Sequence, residues 1–117
     1  MRLSPYNLPK KIILKTNIEF SDTIHHGRCF RNDYFTIFCS RADELRIGFT
    51  VKNDIASKPQ RNFLKRRMRE IFRLCFRNYR LPAEIVMIAQ RSVETADFTQ
   101  LEQTLNHTLN QIEKWLN

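Results

Sequence analysis

The stretch RNFLKRRMREIFRLCFRNYR, residues 61 to 80, constrains the fold more than any other part of the chain. It holds eight Lys or Arg and one Glu, a net charge of +7 in a chain whose total is +8. At about 100° per residue on a helix, Leu64, Met68, Ile71, Phe72, Cys75 and Tyr79 share one side. Lys65, Arg66, Arg69, Arg73 and Arg77, with Asn62, share another, while Phe63, Arg67 and Leu74 fall outside both groups. A helix divided in this way must lay its apolar side on another layer and turn its cations outward. The spacing predicts a helix from about Arg61 to Tyr79 that stops before Pro82.

The flanking segments supply the layer. YFTIFCS, residues 34 to 40, alternates and is rich in aromatic and β-branched types, which predicts a strand. LRIGFTV, residues 45 to 51, reads as the next strand, and the short ADE turn between them implies an antiparallel pair. EIVMIAQ, residues 84 to 90, is a nearly continuous apolar run, as expected of a strand covered on both faces. Thr16 to Glu19 has capping-box spacing for a short helix reaching about His25, with Gly27 placed to end it. A further short strand fits before Tyr34. The last helix begins near Asp97 or Thr99 and carries a core stripe of Leu101, Leu105, Leu109, Ile112 and Leu116. Residues 1–13, with Pro5 and Pro9, read as an extended arm. The sum is a single domain over 1–117, a mixed α/β (α+β) layer with helices packed on a sheet.

The 117 residues include nine Phe, enough for a real core in one domain. A pI near 9.9, with the charge gathered in one stretch, points to a polyanionic partner. Most charged helices are simply solvated, but those mix signs, because like charges four residues apart repel. Lys65, Arg69, Arg73 and Arg77 form an unbroken row of one sign, with Glu70 the one nearby acid. Arg outnumbers Lys seven to one in the stretch, which favours bidentate contacts to phosphate. A helix-turn-helix reader needs a supporting helix just before the reading helix; here a strand and KNDIASKPQ come first. A helix packed on a sheet, offering phosphate contacts with few base-reading groups, suits structured RNA recognised by shape.

These residues resemble the bacterial ribonuclease P protein component. That family carries an Arg-Asn-Arg signature followed by Lys-Arg and Arg-Glu on its central helix; here the places hold Arg61-Asn62-Phe63, Lys65-Arg66 and Arg69-Glu70. NIEFSDTIHHG resembles the family's first helix, FTIF and LRIGFTV its strands before the signature, and EIVMIAQR the strand after it. The resemblance implies a mixed sheet with a left-handed crossover around the central helix. It also implies binding of a catalytic RNA by Arg61, Asn62, Lys65, Arg66, Arg69 and Arg73. The 5′ leader of precursor tRNA is then expected in a cleft between sheet and first helix. Phe20 and Phe38 match its aromatic positions, Thr36 adds a polar contact and Lys52 a charge. Hydrolysis is expected from the RNA with Mg²⁺ held mainly by RNA, and this chain is expected to contribute no catalytic residue or metal ligand and to need no obligate protein partner. Departures from the pattern are Phe63 at an Arg position, and Asn53, Asp54 and Ala56 where two Lys and a Gly are usual.

Other chemistries find little footing. The twelve acids are scattered and form no carboxylate cluster for a two-metal nuclease. His25 and His26 are adjacent and so do not face each other on a helix; they read as a solvated helix end. Cys29, Cys39 and Cys75 are odd in number and far apart, without a C-x-x-C pair, so neither disulfide nor zinc is expected, and Cys39 and Cys75 read as core. No apolar run is long enough to span a bilayer, and MRLSPYNLPKK lacks the apolar centre of a signal peptide, so a cytoplasmic chain is expected. A ribosomal or RNA-chaperone protein using the same helix is the competing reading. It predicts no preference for a tRNA leader.

Overall fold

The structure, a computed structural model, describes residues 10–14, 17–51 and 57–117, and for residues 10 and 17–21 the backbone alone. Its elements run α1 (Asn17–His26), β1 (Arg28–Arg31), β2 (Phe35–Arg41), β3 (Arg46–Val51), α2 (Lys58–Cys75), β4 (Ala83–Ala89) and α3 (Phe98–Leu116). The four strands form one sheet in the order β1-β2-β4-β3. β1 and β2 pair antiparallel, β2 and β4 antiparallel, β3 and β4 parallel. The layer is the mixed one expected, with α2 carrying the chain between the two parallel strands.

One expectation fails here. β2 and β3 do not pair, although only a short turn separates them, because β4 lies between them. β4 is the most apolar strand: Ala83, Ile85, Val86, Met87 and Ala89 are all buried. A strand so apolar is most stable in the centre of the sheet, where both faces are covered and both edges paired. The turn after β2 is held instead by Ala42 N–H donating to the Pro82 carbonyl at 2.9 Å. The true hairpin is β1–β2. In its loop Asn32 Oδ1 accepts from the N–H groups of Tyr34 (2.9 Å) and Phe35 (2.7 Å), and Asn32 Nδ2 donates to buried Thr108 of α3 at 2.9 Å. An Asn that mimics the backbone in this way fixes the turn.

Strand parity sorts the two faces. Phe35, Ile37, Cys39, Ile47, Phe49, Val51, Ile85 and Met87 fill one face and are buried against α2 and α3. From α2 come Leu64, Met68, Ile71, Phe72 and Cys75, all buried, and from α3 Leu101, Leu105, Leu109 and Ile112. Leu116 is half-buried at the end of that stripe. Burial pushes the Cys39 thiol up to about 12, with Cys29 adding to the shift, and pushes Cys75 to about 12, with Glu102 adding. Both are neutral core residues. Cys29 is exposed, and none of the three is in a disulfide.

Three boundaries differ from the sequence reading. Helix α2 starts at Lys58 because Ser57 and Gln60 form a capping box, Gln60 N–H donating to Ser57 Oγ and Ser57 N–H to Gln60 Oε1 at 3.0 Å; Pro59 sits within the first turn. It ends at Cys75 in a tighter turn, Phe76–Asn78, so Tyr79 is extended and leaves the helix. Tyr79 is half-buried, and its hydroxyl donates to Asn106 Oδ1 at 2.9 Å. Within the expected arm, Lys10–Ile12 form a 3-10 turn, Ile13 bridges to Ile47 in parallel, and buried Leu14 donates its N–H to the Ile47 carbonyl at 2.8 Å. Residues 10–14 are thus docked along β3, and 1–9 lie outside the described residues. Asp97 is the N-cap of α3 by position, without a side-chain hydrogen bond to the helix.

Gly27 ends α1 as expected, its N–H donating to the Thr23 carbonyl at 2.8 Å, but not in a left-handed conformation. Glycine is required by closeness: a Cβ there would stand 2.4 Å from the Thr23 carbonyl oxygen and 2.8 Å from that of Cys39, both backbone atoms. Gly27→Ala is therefore expected to lower stability by about 1–3 kcal/mol as α1 is pushed off β2, read as a lower denaturant midpoint.

Candidate nucleic-acid interface

The core locks one side of α2, and this fixes where its cations point. Leu64, Met68, Ile71, Phe72 and Cys75 are buried, so Asn62, Arg66, Arg69 and Arg77, on the other side, are exposed, and Arg61, Lys65 and Arg73 are half-buried. Among the described residues no carboxylate pairs with Lys65, Arg66, Arg69 or Arg73. The Arg69 guanidinium stands 5.9 Å from the centre of the Phe49 ring, and Arg77 4.8 Å from that of Phe76. The stems of the row therefore rest on apolar rings while the charged heads face outward. The Nε of Arg73 is shielded from solvent without a hydrogen-bond partner among the described residues. The five expected cations, Arg61, Lys65, Arg66, Arg69 and Arg73, lie with Asn62 along the one helix α2. Lys65, Arg66, Arg69 and Arg73, without carboxylate partners among the described residues, form a row suited to a string of phosphates.

Phe63 and Arg67 lie on a different flank. Phe63 is 40% exposed, and Arg67 stands 5.7 Å from its ring centre. Arg67 donates to the Ala96 carbonyl at 2.7 Å and so is engaged near the start of α3. The departure at Phe63 leaves the basic row intact.

The second candidate lies on the opposite face of the sheet. Thr36 and Phe38 sit there in register with β4 and β3: one row runs Thr36, Ile88, Thr50 and the next Phe38, Val86, Gly48. Thr36, Phe38, Ile88 and Thr50 are half-buried, and Val86 is fully buried. Helix α1 covers part of this face, contacting β2 and β4, and is tied by buried Thr23, whose hydroxyl donates to Glu84 Oε2 at 3.3 Å. Gly48, lacking a side chain, leaves the β3 end of the Phe38 row low. A half-covered aromatic beside a helix is a place where a flat, unpaired base can stack. Sequence reasoning missed Thr50 and Ile88, which strand parity together with the β4 register brings beside Thr36. Of the four expected contacts, Phe20 lies in α1 with its side chain outside the described residues. Lys52 lies outside them altogether, as do Asn53, Asp54 and Ala56.

Among the described residues no group of three or more His, Cys, Asp or Glu is placed to hold a metal ion, and no helix is long and apolar enough to cross a membrane. His25 and His26 are exposed at the end of α1.

Known proteins share both the sequence and the fold. The family model for ribonuclease P matches residues 8–113. The ribonuclease P protein component of Finegoldia magna is 30% identical over 101 residues, covering 86% of this chain and 89% of that one. That of an Exiguobacterium strain is 28% identical over 110 residues, covering 92% and 96%. The RNase P protein of Thermotoga maritima superposes with a TM-score of 0.75 at 29% identity, covering 86% of this chain and 96% of its own. The Staphylococcus aureus RNase P protein, at 23% identity, shares the fold with a TM-score of 0.73. With a family match over nearly its whole length, the chain belongs to the ribonuclease P protein family.

Proposed function

We propose that this chain is the protein subunit of a bacterial ribonuclease P, acting in the cytoplasm on precursor tRNA. The observation that carries the reading is the row Lys65, Arg66, Arg69 and Arg73, held rigid by a buried opposite face and left without carboxylate partners among the described residues. With Arg61 and Asn62 it binds the catalytic RNA. The groove over Thr36 and Phe38 takes unpaired leader nucleotides, and Phe20 and Lys52 belong to the same contact in this reading. The protein supplies no catalytic group. Bound Mg²⁺, held by RNA, supplies charge neutralisation and an activated water. The basic row lowers the repulsion between two RNAs as they are brought together.

Cleavage across a Mg²⁺ titration tests the division of roles. The RNA with this chain is expected to remove the leader at lower Mg²⁺ than the RNA alone, and the chain alone to leave precursor tRNA intact. RNA-free protein that cuts at the correct 5′ site overturns it. The leader groove has its own test. In the assembled complex, Phe38→Ala is expected to weaken precursor binding by about 1–3 kcal/mol, the worth of one stacked base, and to leave mature tRNA binding unchanged. Equal losses for both ligands would mean a general RNA contact, as in the chaperone reading, or a packing defect.

A further inference from the structure

A second cationic site lies at the β1 edge of the sheet, away from α2. An open cleft of about 460 Å³ is lined by His26, Gly27, Arg28, Cys39, Ser40, Arg41 and Trp115, with no Asp or Glu among the described residues that line it. Its volume is within the range of small-ligand sites, roughly 300–1,000 Å³. The β1–β2 register places Arg28 opposite Cys39, so Arg28 and Arg41 project from the same face of neighbouring strands. Trp115, near the end of α3, comes up between them. The Arg41 guanidinium lies 4.2 Å from the centre of the Trp115 ring and donates to the Trp115 carbonyl at 2.7 Å. The Arg28 guanidinium lies 5.8 Å from the same ring and 5.5 Å from that of Phe30, which packs edge-on against Trp115 at 5.9 Å.

We propose that this cleft binds a backbone phosphate of RNA. The inference rests on the ribonuclease P reading for the identity of the polymer. Two guanidiniums fixed on one indole repel each other, and an anion between them removes that cost. Stacking orders both side chains in advance, so little rotamer freedom is lost when the ligand arrives. The one hydrogen bond Arg41 makes to Trp115 leaves most of its five N–H donors for a bidentate contact. Phosphate fits better than a base, because a guanidinium already lies against the indole at 4.2 Å. The cleft does not continue the signature row: α2 packs on β3 and β4, and β3 and β1 are opposite edges of the sheet. Two edges that each hold phosphate let one small protein bridge two RNA segments. The phosphate can come from the catalytic RNA or from precursor tRNA.

Trp115 is the only tryptophan of the chain, so its emission reports on the cleft alone. In one arm the full chain is titrated with catalytic RNA; in the other the assembled complex is titrated with precursor tRNA. Each is followed by Trp115 emission and by anisotropy of the labelled RNA. Emission is expected to change in one arm with the same midpoint as anisotropy, and that arm names the source. In it, Arg28→Gln with Arg41→Gln should weaken binding roughly tenfold and flatten the salt slope by about 0.7–0.9, one phosphate's worth. Arg28→Gln alone keeps the Arg41–Trp115 stack and should weaken the same arm by a smaller factor, which separates lost binding from lost folding. RNA that binds by anisotropy with Trp115 emission unmoved in both arms overturns the site. So does emission that moves while both variants bind as the unmodified chain does. If neither RNA binds, the ribonuclease P reading falls, and the cleft's assignment with it.

Discussion

Replacing Arg66 and Arg69 together by Ala is expected to weaken binding of the catalytic RNA by roughly 100-fold or more, at no cost in stability. Each is exposed on α2 and free of carboxylate partners among the described residues. Charge-assisted hydrogen bonds contribute about 1.5–3 kcal/mol each, so two lost contacts amount to about 3–6 kcal/mol. The salt dependence is the sharper signature. About five phosphate contacts give a slope of log affinity on log salt near −3.5 to −4.5, and removing two should flatten it to about −2.1 to −2.7. Stability should hold, since relief of the repulsion between Arg69 and Lys65 and Arg73, roughly 0.2–0.5 kcal/mol per pair, offsets the lost contact with the Phe49 ring, about 0.5–1 kcal/mol. Binding isotherms at four or more salt concentrations, with a denaturation curve for each protein, decide it. An unchanged slope in the double variant places the RNA on another surface.

That surface could be read from sequence because it is local. Lys65, Arg69 and Arg73 recur every fourth residue, and the apolar positions between them fix which side is buried, so no long-range information is needed. The same holds for α3 and for the parity that puts Thr36 with Phe38. What stayed hidden depends on contacts between distant segments. Nothing in the turn after β2 says that residues 83 to 89 will insert between β2 and β3; the apolar run of β4 says only that some central place must be found for it. Gly27 looked like a helix terminator, but its necessity comes from the Cys39 carbonyl of another strand. The start of α2 was legible in Ser57 and Gln60, although Pro59 drew the boundary later. The cleft at Trp115 joins Arg41 to a residue 74 positions away, and no pattern within either segment announces it.

Phe72→Ala should produce the opposite pair of effects, a loss of about 3–5 kcal/mol in stability with the RNA salt slope retained. Phe72 has no exposed surface. Its ring stacks on Phe76 at 5.3 Å with an interplanar angle of 7°, and meets Phe49 of β3 edge-on at 5.9 Å and 74°. The cluster therefore bonds α2 to the sheet edge beside it, and truncation leaves a cavity that Leu64, Met68 and Ile71, already packed, can fill only in part. Against a typical total of about 5–15 kcal/mol, this is a large fraction, visible as a lower denaturant midpoint with the m-value unchanged. The Arg69 head stands over the same Phe49 ring, so the packing that holds the helix also aims the row. Phe72→Ala retains every cation. Where the variant is still folded, it should therefore bind with the original salt slope and with affinity reduced only as far as the row loosens. A loss below about 1 kcal/mol would show that the site can collapse around the missing ring, and that the aromatic cluster is not what fixes α2 to the sheet.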